Sequence, residues 1–107
     1  MADDLRQAEY GLYIAKVGTD ERHHYRKGNR PSDLPDLFDL ARHAIKDVQA
    51  RQGHIYRLHG RWSTGVEIWE SPNGDQDPFQ PPDRLLAYAR WEDRDLTLTD
   101  QEADRVR

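Results

Sequence analysis

The chain has 107 residues, 36% of them apolar and 34% charged, with no cysteine and a formal net charge of −4. That length suits a single domain over residues 1–107 with a thin core, and three Trp, five Tyr and two Phe argue against wholesale disorder. The absence of cysteine excludes disulfides and thiolate metal sites. With no apolar run of spanning or signal-peptide length, a cytoplasmic protein with no membrane association is expected.

Residues 1–9 are polar and expected to fray. Tyr10 to Val17 reads as a strand with Tyr13, Ala15 and Val17 on one face and Leu12 and Ile14 on the other. Apolar residues on both faces place such a strand inside a sheet. Gly18-Thr19-Asp20 breaks it, and residues 18–31 then read as a long polar loop.

A helix is expected from Asp33 to Gln52. Leu34, Leu37, Phe38, Ala41, Ala44, Ile45 and Val48 recur at three- and four-residue steps and so share a stripe. Ser32 or Asp33 can cap its first turn, Pro35 is tolerated there, and Gly53 follows as a stop.

His54–Arg61 and Val66–Glu70 read as two strands of a hairpin joined through Trp62 and Gly65, with Val66 and Ile68 opposing Glu67 and Trp69. Residues 71–82, with four prolines, must be loop, which Phe79 would anchor to the body. Leu85–Glu92 alternates as a strand does, although Pro82-Asp83 also resembles a helix start. Leu96-Thr97-Leu98 reads as short and extended, and Thr99-Asp100-Gln101-Glu102 as a capping box opening a short C-terminal helix.

The expected fold is therefore α+β: a small three- to four-stranded sheet in β-α-β-β order, a further strand over 85–92, and one main helix packed on it. In that order the first two strands would run parallel. Their carboxyl ends and the helix N-terminus would then gather Arg22, His23, His24, Tyr25, Arg26, Lys27, Arg30, His59, Arg61 and Trp62. Charge supports an anion- or partner-binding patch there. Glu21 stands against Arg22, Arg26, Lys27 and Arg30, a local +3, whereas residues 72–107 hold nine acids against five arginines, a local −4.

No Ser or Thr sits in a nucleophile-elbow context, and His23-His24 are adjacent, so their rings diverge in an extended chain. No catalytic residue, cofactor or metal is assigned. The leading expectation is a non-enzymatic regulatory module acting by protein–protein contact, as an inhibitor of a larger assembly would, with Asp75, Asp77 and Asp83 as an acidic contact. The alternative is phosphate-backbone binding of nucleic acid through the basic 22–30 loop and a 57–62 hairpin. An open sheet edge would also allow a homodimer.

Overall fold

The computed structural model describes residues 9–71 and 84–99. Within them lie five strands, β1 (Glu9–Ala15), β2 (Arg22–Gly28), β3 (Gly65–Ser71), β4 (Arg84–Arg90) and β5 (Thr97–Leu98). Two α-helices, α1 (Leu34–Gln49) and α2 (Gly53–His59), follow β2, and a 3-10 turn over Pro31–Asp33 leads into α1. The α+β class is as expected. Glu9, expected to fray with residues 1–8, instead opens β1, and Ser71, expected in the Pro-rich loop, ends β3. The expectations for residues 1–8, for the loop over 72–82 with Phe79, and for a short C-terminal helix beyond Thr99 fall on residues outside those described.

The sheet has five strands rather than three or four, in the order β2-β1-β3-β4-β5, with every neighbouring pair antiparallel. The expected β-α-β-β order is replaced by β-β-α-α-β-β-β. Two misread segments account for this. Residues 22–28 are a strand and not part of a loop, and residues 53–59 are a helix and not the first arm of a hairpin.

β2 forms because a tight turn returns the chain onto β1. Lys16 N–H donates to the Glu21 carbonyl at 3.0 Å, and Thr19 N–H donates to the Lys16 carbonyl at 3.0 Å. Gly18, at φ +87°, supplies the left-handed step. Register runs from Ala15 opposite Arg22 to Tyr10 opposite Gly28, with a shift between Leu12 and Tyr13 that leaves Tyr25 as the extra residue. β1 and β3 are antiparallel, so the parallel pair expected for the two strands flanking the helix does not occur between them. Because β2 and β3 are each antiparallel to β1, they point the same way with β1 between them.

One face of the sheet carries the core. Leu12 and Ile14 of β1 pair with Ile68 and Val66 of β3, which pair in turn with Ala87 and Ala89 of β4. All six are fully buried, and Leu34, Leu37, Ala41, Ala44 and Ile45 of α1 meet them, joined by Ile55 of α2. Each large aliphatic side chain so buried contributes about 1.5–3 kcal/mol. Phe38 and Val48, on the expected stripe, pack partly buried at its margin.

The ends of α1 depart from the expected signals. Asp33 makes no cap to the helix; its carboxylate instead accepts from the Asn29 and Arg30 N–H groups at 2.9 and 3.1 Å, stitching the chain after β2 to the helix start. The stop is Arg51, at φ +57°, not Gly53. Gln52 N–H donates to the Asp47 carbonyl at 2.8 Å and Arg51 N–H to Val48 at 2.9 Å, the paired bonds of a Schellman ending. Gly53, at φ +88°, then turns the chain into α2.

Candidate functional site

The ten residues expected to gather at one end lie on and around β2, but on different sides of it. His23 faces the helix side. Its ring lies 4.4 Å from that of Trp62 and 5.8 Å from that of His59, at the end of α2. Trp62 Nε1–H donates to His59 Nδ1 at 3.3 Å. Burial holds the His59 imidazole below its ordinary value of 6.5, and the neighbouring His23 and His54 push it the same way. These three rings are the part of the expected cluster that truly converges.

His24 points to the opposite side, edge-on to Tyr13 with ring centres 5.2 Å apart. Adjacent histidines on an extended strand diverge, as their spacing demands. Among the described residues no three His, Asp or Glu side chains converge as a metal site would require.

The cations are largely spoken for. Arg22 Nε donates to Glu67 at 3.0 Å, Lys27 Nζ lies 3.5 Å from Glu9, and Arg30 lies 3.9 Å from Asp33. The Arg26 guanidinium lies 5.7 Å from the Tyr25 ring centre, and neither it nor Arg61 pairs with a carboxylate among the described residues. The basic patch is thus mostly compensated. What it does present is a strand. His23, His24, Arg26 and Lys27 are exposed along β2, and beyond β2 no further strand lies among the described residues.

The sheet face turned away from the helices holds a second feature, which the sequence pattern did not single out. Ala15 and Gly65 lie opposite each other in one cross-strand row, with Arg22 at one end and Arg90 at the other. Ala15 and Gly65 are themselves buried, and over the same face a cleft of ≈ 420 Å³ lies between the 17–20 turn and Arg22, Glu67, Trp69, Leu85, Tyr88 and Arg90.

Glu67 forms the floor of this cleft. Only 2% exposed, it accepts hydrogen bonds from Arg22 Nε, from Trp69 Nε1 at 2.8 Å and from the Gly18 N–H at 3.3 Å. Arg22 also donates to the Thr19 carbonyl at 2.9 Å, and its guanidinium lies 4.8 Å over the Trp69 ring. A buried carboxylate so satisfied locks the surrounding side chains in place. The available signal was Glu67 and Trp69 sharing a face of a strand whose other face is Val66 and Ile68.

No helix among the described residues is long and apolar enough to cross a membrane. No family model matches the chain, and neither a curated protein nor a solved structure matches it.

Proposed function

We propose that the protein is a non-enzymatic binding module that captures an extended, acidic segment of a partner protein along β2. The observation that carries this reading is that residues 22–28 form a seven-residue edge strand with exposed basic side chains. An edge strand offers a row of backbone donors and acceptors to an incoming chain, which completes the ladder.

Charge decides which chain enters. Two copies of Arg22–Gly28 set edge to edge would bring like charges together, so self-association along β2 is disfavoured. An acidic strand meets Arg26 instead, an exposed cation of β2 that pairs with no carboxylate among the described residues. Because Arg22, Lys27 and Arg30 already face carboxylates, few cations remain to release counterions from a phosphate backbone. Backbone pairing, tuned by charge, therefore supports protein capture over nucleic-acid binding. The acidic trio Asp75, Asp77 and Asp83 lies outside the described residues and plays no part in this reading.

The test is binding of an alternating Glu/Val peptide, measured by fluorescence anisotropy, beside the same peptide with Lys for Glu and a third with alternate backbone nitrogens methylated. Strand addition predicts binding of the first alone, weakened by Arg26→Glu. Equal binding of the methylated peptide, or preference for a single-stranded oligonucleotide with steep loss on adding salt, would overturn it.

A further inference from the structure

The cleft above Glu67 is separate from the outer edge of β2 and has the make-up of a small-ligand site. Its ≈ 420 Å³ falls in the range of pockets that enclose small molecules. Its walls combine aromatic and aliphatic surface from Trp69, Leu85 and Tyr88 with a few polar groups, the balance such sites use to bind and then to orient. The floor is built in advance. Glu67 is held by three donors and Arg22 by two acceptors, so neither has to reorganise when a ligand enters.

The charges are unequal in availability. Arg22 is neutralised by Glu67 at 3.0 Å. Arg90 is exposed, and its guanidinium pairs with no carboxylate among the described residues. Arg90 and Tyr88 stand two residues apart on β4 and so project from the same face, about 7 Å apart along the strand. On the other side Asp20 contributes an exposed carboxylate, which disfavours ligands carrying more than one negative charge.

From this geometry we infer that the cleft binds a small aromatic monocarboxylate, its ring against Tyr88, Leu85 and Trp69 and its carboxylate on the Arg90 guanidinium. A planar guanidinium takes a carboxylate through two parallel hydrogen bonds. A two- or three-atom spacer between ring and carboxylate spans the Tyr88-to-Arg90 step. Gly18, with open space around the position of a would-be Cβ, leaves the mouth unobstructed beside the turn.

The experiment is an amide NMR titration of the full chain with 3-phenylpropionate and, separately, 3-phenylpropionamide. The inference predicts saturable shifts at Gly18, Tyr88 and Arg90, with the amide binding about tenfold more weakly because it lacks the charge. Arg90→Gln, an exposed position, is expected to keep the native spectrum and to abolish the preference for acid over amide. Equal affinity for acid and amide would overturn the inference. So would a preference that survives Arg90→Gln, or the absence of saturable shifts at those amides.

Discussion

Replacing Arg22 with alanine isolates the cost of the Glu67 carboxylate. In the folded chain the two side chains are 14% and 2% exposed, and Nε lies 3.0 Å from Oε1. Removing one member of a buried pair costs about 3–5 kcal/mol, because the other charge is left without compensation. Glu67 keeps two donors, Trp69 Nε1 at 2.8 Å and the Gly18 N–H at 3.3 Å. Arg22 also sits on the edge strand, where water can replace it. Those two features bring the expected loss down to about 2–3 kcal/mol. For a chain of this size that corresponds to a fall in Tm of about 10 °C.

Urea denaturation of the wild type, Arg22→Ala, Glu67→Leu and the double variant gives the coupling directly. The double variant is expected to be more stable than the sum of single losses predicts, by at least about 1.5 kcal/mol. A loss under about 0.5 kcal/mol for Arg22→Ala, or additive effects in the cycle, would show that Glu67 is hydrated and not the pre-built floor described above.

Further outcomes follow from other contacts. Gly65→Ala is expected to cost about 3 kcal/mol, at the upper end for overpacking, because a Cβ there would stand 1.9 Å from the Ala89 carbonyl oxygen; a loss in urea below about 1 kcal/mol would contradict the register of β3 on β4. His59 is held below its ordinary 6.5 by burial, so the unfolded chain takes up the proton first. Its contribution to stability is present above pH 6.5 and is lost as the pH falls from there through the lowered value. The slope of stability against pH in that window should flatten in His59→Gln, and an unchanged slope would refute the burial. The Arg42–Asp95 pair, at 2.8 Å but with both side chains half-exposed, should give at most about 1 kcal/mol on Asp95→Asn. The Arg42 hydrogen bond holds the Asp95 carboxyl below the usual range. That small term is therefore present near neutrality and lost as the pH falls through Asp95's lowered value, a loss that should be missing from the pH profile of Asp95→Asn.

Elements with a clean apolar period were legible in the sequence. β1 alternates as Leu12 and Ile14 against Tyr13 and Ala15, α1 carries a stripe from Leu34 to Ile45, and β3 sets Val66 and Ile68 against Glu67 and Trp69. Of the alternating stretch 85–92, the part up to Arg90 is strand, as β4, and Trp91 and Glu92 lie in the turn after it. β2 escaped because Arg-His-His-Tyr-Arg-Lys-Gly has no apolar face, and an edge strand over a small sheet needs none. Its structure comes from backbone pairing with β1, which no local pattern encodes. α2 was misread because, with only Ile55 buried and both Tyr56 and Leu58 exposed, seven residues offer too few turns to display a helical stripe.

The site was half legible for the same reason. His23, His59 and Trp62 do meet, but because the end of α2 lies against β2, not because two parallel strands finish together. The ion pairs that compensate Arg22 and Lys27 join residues 45 and 18 positions apart in the chain, and depend on cross-strand register that composition does not reveal.

Hydrogen exchange resolved at individual amides of residues 22–28, with and without the alternating Glu/Val peptide, tests the central proposal most directly. In the free protein the β2 amides turned outward should exchange rapidly while those bonded to β1 are protected. Saturating peptide should slow the outward amides of β2 selectively, leaving the helices unchanged. Protection that appears elsewhere on the protein, or no protection along β2 despite binding, would contradict capture by strand addition.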